Sequence, residues 1–174
     1  MTWSTFRSVL LTHDAWLSER WRACAAHPGV VRGLAIVLAR SGDAVWWLIV
    51  LALVGLLSDP PGRFHAVKIA IALVGTGLVV RLVKVATRRA RPPGVWGSGY
   101  RRSDPHAFPS GHSARAAMLT VLGFAIGPAW TGAALAVWTL LVAVSRVALG
   151  VHYLSDVVAG AALGIICGLL AAAR

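Results

Sequence analysis

Eight residues of this 174-residue chain have the types and spacing of a phosphoryl-transfer site. Lys84 and Arg91 lie seven apart, two helical turns, so a helix running to Pro92 would present both on one face before Pro92-Pro93 ends it. Ser110-Gly111-His112 stands just before an apolar run. That places a hydroxyl, a backbone N–H and an imidazole at a helix N-terminus, where free N–H groups and the positive dipole end favour an anion. His152 and Asp156 are four apart, so the carboxylate can hold one ring nitrogen and leave the other basic. Arg146 precedes His152 by six residues. In such a set the cations hold phosphoryl oxygens, one imidazole attacks and the other protonates the leaving oxygen.

The elements that must position these groups are apolar. The chain is 57% hydrophobic and 13% charged, about half the ~25% charge of soluble proteins. Its net charge is +11. This argues against disorder and against a nucleic-acid partner, whose binder would carry its charge on a polar surface. Cys24 and Cys167 lie far apart without a CxxC spacing, so neither a disulfide framework nor a thiolate metal site is indicated. The expectation is an all-α integral membrane bundle of five to six transmembrane helices, preceded by an amphipathic helix.

Apolar runs at 44–57, 64–83, 116–126, 130–144 and 157–173 are the candidate spans. Gly160, Gly164 and Gly168, every fourth residue of the last, permit close helix packing. Residues 1–43 form an N-terminal segment. Trp3, Phe6, Leu10, Trp16, Leu17 and Trp21 alternate there with charged residues as in a helix lying among headgroups. Val30 to Ala39 is too short to span and leads through Ser41-Gly42-Asp43 as an interfacial or re-entrant turn. Residues 44–174 form the membrane domain. With these spans Lys84, His112, Arg146 and Asp156 all fall at one membrane face.

Lys84-x6-Arg91-Pro92, Pro109-Ser110-Gly111-His112 and Ser145-Arg146-x5-His152-x3-Asp156 together resemble the three-part signature of the type 2 phosphatidic acid phosphatase (PAP2) superfamily. That superfamily includes membrane lipid phosphatases and vanadium haloperoxidases; the membrane spans exclude a soluble halide-oxidising relative. The resemblance implies that His152 is the nucleophile forming a phosphohistidine and that Asp156 orients it. It implies that His112 protonates the leaving alcohol and then activates water, while Lys84, Arg91, Ser110, Gly111 and Arg146 hold the phosphoryl oxygens. No metal and no cofactor are expected: the arginines supply the positive charge, and Asp104 is the one acid of the long loop.

Each group alone has a structural explanation: Lys84 and Arg91 as snorkelling anchors, His112 as a capping residue, His152 with Asp156 as a packing pair. Their joint spacing favours the site. The remaining arginines of the long loop, Arg88, Arg89, Arg101 and Arg102, read as headgroup or topology residues, with Arg101 or Arg102 in reach of a second anionic group. His106 has a claim on the pocket. The tryptophans read as belt residues, and Trp96 as lining a lipid entrance.

The expected partners are the bilayer and a lipid-phosphate substrate. Candidates are a polyprenyl diphosphate, a polyprenyl-phosphoryl sugar phosphate such as decaprenylphosphoryl-5-phosphoribose, and phosphatidylglycerophosphate. The rival is a non-catalytic lipid-phosphate binder or carrier, which has no use for His112, His152 and Asp156. Apart from Lys84, Arg91 and Arg146, eleven cations fall on the motif side and only Arg63, Lys68 and Arg174 on the other. By the positive-inside rule the site faces the cytoplasm of a bacterial inner membrane, which favours the phosphoribose or glycerophosphate candidates.

Overall fold

The computed structural model describes residues 3–23, 28–93 and 104–173. Cys24, His27, Trp96, Arg101 and Arg102 lie outside the described residues, as do the side chains of Trp3, Phe6, Arg7 and Leu10. Among the described residues every regular element is a helix: α1 Trp3–Ala23, α2 Val30–Ser41, α3 Ala44–Leu57, α4 Pro60–Thr87, α5 Gly111–Ile126, α6 Ala129–Ala148 and α7 Leu154–Ala172.

The apolar runs become α3 to α7, and their ends follow local chemistry. Asp59 caps α4, accepting from the Gly62 N–H, with prolines in the first turn. Ser110 caps α5 by accepting from the Ser113 N–H. Among the described residues three helices, α4, α6 and α7, are long and apolar enough to cross a membrane. The pair α2 and α3 passes the same test together, bent by 55°, as a broken span or a re-entrant loop. The break falls at Gly42-Asp43, within the stretch expected to turn.

Helix α5, only 16 residues long, is the centre of the bundle. Its Met118, Leu119 and Leu122 pack with Leu73 of α4 as the buried core. Helix α7 lies against it along the glycine stripe. A methyl group on Gly160 would sit 2.4 Å from the Ser110 carbonyl oxygen, and one on Gly164 2.0 Å from that of Ala114. The backbones therefore touch where side chains would normally separate them, which draws the start of α7 onto the start of α5.

Two expectations are corrected. Helix α4 does not run to Pro92: it stops at Thr87, where Arg88 turns left-handed with φ 46°. Arg91 instead reaches Lys84 along an extended strip in which Ala90 bridges His106 and the Ala107 N–H donates to the Arg89 carbonyl at 2.8 Å. Nor are all tryptophans belt residues. Trp47 and Trp138 pack with ring centroids 5.0 Å apart and both donate to Ser41, at 3.0 Å to its carbonyl and 2.9 Å to its hydroxyl. They pin the α2–α3 break in place.

The glycine contact is testable by thermal unfolding in detergent. Gly164→Ala should lower Tm by roughly 5 °C or more. Gly33→Ala, in a helix with open space around the new methyl group, should leave it unchanged or raise it slightly.

Candidate active site

The start of α5, the last turns of α4 and the joint between α6 and α7 enclose a cavity of about 470 Å³. Six of the eight sequence candidates line it: Lys84, Arg91, Gly111, His112, Arg146 and His152. Asp156 lies behind His152, fully buried. Ser110 does not reach the cavity. Its hydroxyl caps α5 and accepts from Ser113 at 3.1 Å, while its N–H donates to the Asp156 carbonyl at 2.8 Å. In this geometry Ser110, expected from sequence to hold a phosphoryl oxygen, ties α5 to α7.

His152 sits in the tight connection before α7 rather than on the helix itself. Its Nε2 lies 3.1 Å from Arg91 Nη1, which also donates to the Val151 carbonyl at 2.7 Å. Its Nδ1 stands 3.4 Å from Asp156 Oδ2, close enough to pair electrostatically but without a formed hydrogen bond. Burial pushes the imidazole well below its ordinary range, and Arg146 and Arg91 push the same way. The ring is therefore neutral near pH 7, with Nε2 turned toward the guanidinium.

The cations are not bare. Lys84 Nζ pairs with Asp104 and donates to the His106 carbonyl at 3.0 Å. Arg91 donates from Nη2 to Asp104 Oδ2 at 3.0 Å and from Nε to the Asp104 carbonyl at 2.9 Å. Asp104 thus puts a carboxylate between two cations that face the cavity. Arg81 and Arg115 line it too, as does His106.

Asp43, which no sequence motif marks, also belongs to this neighbourhood. Its Oδ1 lies 2.8 Å from His112 Nε2, at the α2–α3 break. Gly42 beside it is required, because a methyl group there would stand 2.9 Å from His112 Cδ2 and 3.2 Å from Val142. Arg89, read as a topology residue, is largely buried. It donates from Nη1 to Asp156 Oδ1 at 2.8 Å and from Nη2 to Asp14 Oδ2 at 2.7 Å, stacked over Tyr153. An acid between two apolar runs and a second arginine inside a basic cluster were the available signals, and neither spacing alone separates them from surface charge.

Residues 65–173 match the model of the PAP2 superfamily. The chain belongs to the PAP2 superfamily. It is 32% identical over 146 residues to a protein of Arabidopsis thaliana described as "Probable lipid phosphate phosphatase beta", covering 66% of this chain and 68% of that one. Two crystal structures share its fold. The transmembrane PAP2-type phosphatidylglycerolphosphate phosphatase of Bacillus subtilis has a TM-score of 0.76 at 22% identity, covering 94% of this chain and 84% of that one. LpxE of Aquifex aeolicus has 0.69 at 19% identity, with 90% and 94% covered. This PAP2 protein is a multi-pass membrane phosphatase, all-helical as expected.

In this PAP2 site Asp104 occupies cations that an anion would otherwise take. Asp104→Asn should therefore tighten binding of inorganic phosphate about fivefold, the scale of a half-exposed ion pair. Titration calorimetry of the purified protein reads this. Unchanged or weaker binding would show that Asp104 does not compete.

Proposed function

We propose that the protein hydrolyses a lipid-linked phosphate at the membrane surface, through a phosphohistidine on His152. The observation that carries this is the placing of the His152 ring, with Nε2 at the cavity against Arg91 and a carboxylate behind Nδ1. Nε2 attacks phosphorus, a P–N bond forms, and the P–O bond to the lipid breaks. His112 gives its proton to the leaving oxygen. A water molecule then attacks phosphorus, the P–N bond breaks, His112 takes the proton from that water, and inorganic phosphate leaves. Lys84, Arg91, Arg146 and the N–H groups at the start of α5 hold the phosphoryl oxygens, which are most negative in the transition state. Asp43 fixes the His112 ring. A carrier would use the cations but has no need of two oriented imidazoles.

The cation count bears on the substrate. One phosphoryl group is matched by Lys84, Arg91 and Arg146, yet Arg81 and Arg115 line the same cavity. The Arg115 guanidinium lies beside Gly111, where a methyl group would stand 3.3 Å from Nη1. This supports a lipid with two phosphate groups, as in phosphatidylglycerophosphate, a polyprenyl diphosphate or a polyprenyl-phosphoryl sugar phosphate. Helix α1 packs at the cavity end and adds Arg20 and Arg22 to the basic side. That supports the cytoplasmic face of a bacterial inner membrane and a substrate made in the cytoplasm.

The test is phosphate release by detergent-purified protein in EDTA, across phosphatidic acid and the three two-phosphate lipids. Wild type should be active without added metal, and His152→Ala inactive while still folded. Arg91→Lys should be severely impaired, because an ammonium cannot reproduce the guanidinium fork. At least one two-phosphate lipid should exceed phosphatidic acid in kcat/KM by about tenfold, the scale of one charge-assisted contact. Full activity in His152→Ala would refute the mechanism; equal rates on all four lipids would refute the substrate class.

A further inference from the structure

Helix α1 lies outside residues 65–173, the stretch matched to the superfamily. Even so, it touches the site's supporting network. From residue 11 onward its apolar side chains Leu11, Trp16, Leu17 and Trp21 are exposed, while polar Asp14 and Ser18, one turn apart, face the bundle. Ser18 accepts from the Leu154 N–H at 2.9 Å. Asp14 accepts from the Ser155 N–H at 3.0 Å, from the Ser155 hydroxyl, and from Arg89. An interfacial helix held only by its lipid face needs no such contacts.

Asp14, Arg89 and Asp156 form a line of alternating charge. Arg89 is the bridge, with one Nη on each carboxylate and a further bond of 2.6 Å to the Ser155 hydroxyl. Burial pushes the Asp14 carboxyl up, but hydrogen bonds from Ser155 and Arg89 outweigh it and hold the group below the ordinary carboxylate range. Asp14 is therefore ionised at neutral pH. Two carboxylates against one guanidinium leave one net negative charge in the line, which ends at His152. With Arg89 committed to Asp156 alone, that charge would be cancelled.

We propose that Asp14 is a positioning residue for the active site: through Arg89 it sets the orientation and net charge of Asp156, and through Asp156 those of His152. Helix α1 is thereby a working part of the catalytic apparatus. The inference rests on the phosphatase reading above.

Steady-state kinetics of four full-length variants test it. Asp14→Asn keeps the size and removes the charge; kcat should fall about tenfold with KM within twofold, the effect of roughly one charge-assisted bond on the transition state alone. Asp14→Glu should recover most of the loss. Ser18→Ala loosens the same helix without touching the charge, and should change kcat less than about twofold. Arg89→Lys, which cannot span both carboxylates in a fixed fork, should reproduce the loss and serves if Asp14→Asn does not fold. Wild-type kcat in Asp14→Asn, or an equal loss in Ser18→Ala, would overturn the proposal and leave an α1 that merely packs. Failure of the phosphatase reading looks different: no phosphate release from wild type on any lipid.

Discussion

Lys84, Arg91 and Arg146 are buried around one cavity, and their mutual repulsion is the constraint to which the rest of the site answers. Removing like charges from water is costly unless counter-charge is supplied nearby. The chain has only six acidic residues, and Asp14, Asp43, Asp104 and Asp156 all stand in this neighbourhood. Their division of labour follows from position. Asp104, half-exposed, satisfies the cations that face the cavity. Asp156 and Asp43 serve one imidazole each, and Asp14 serves Asp156 from outside the core. In the proposed reaction the substrate phosphate would supply further negative charge to this cavity.

The backbone arrangement that makes this possible is a close approach of α5 and α7. Gly160 and Gly164 bring the start of α7 against the carbonyls of Ser110 and Ala114, so the His152 connection and the His112 helix end meet at one point. The α2–α3 break, pinned by Trp47 and Trp138 on Ser41, presses Gly42 and Asp43 onto the other side of His112. Each imidazole is thus backed by a carboxylate from a different part of the chain.

How much of this was legible in the sequence depended on the range of the signal. Helices α3 to α7 were, because each is built on an apolar run, and so was the gathering of Lys84, Arg91, His112, Arg146 and His152, because their segments return to one face. Ser110 has its sequence claim on the site from its place at a helix N-terminus and from the PAP2 resemblance, whereas the cap geometry turns its hydroxyl onto Ser113. Arg91 was expected on a continuing helix; the left-handed Arg88 ends α4 early, and an extended strip delivers Arg91 by another path. Nothing local marks Asp14, Asp43 or Arg89 as facing inward, because their partners are 66 to 141 residues away in the chain. The α2–α3 turn was foreseen from its composition, but not its contact with His112.

The proposed reaction turns on a covalent bond between phosphorus and one atom, His152 Nε2. The most direct measurement uses the His112→Ala variant, in which water activation is lost and the intermediate should persist. The variant would be mixed with a lipid carrying radiolabelled terminal phosphate, quenched in base, and mapped by mass spectrometry. Acid-labile, base-stable label is expected on the peptide containing residue 152, and none when His152→Ala is added. Label on another residue, or release of phosphate by the His152→Ala protein, would contradict it.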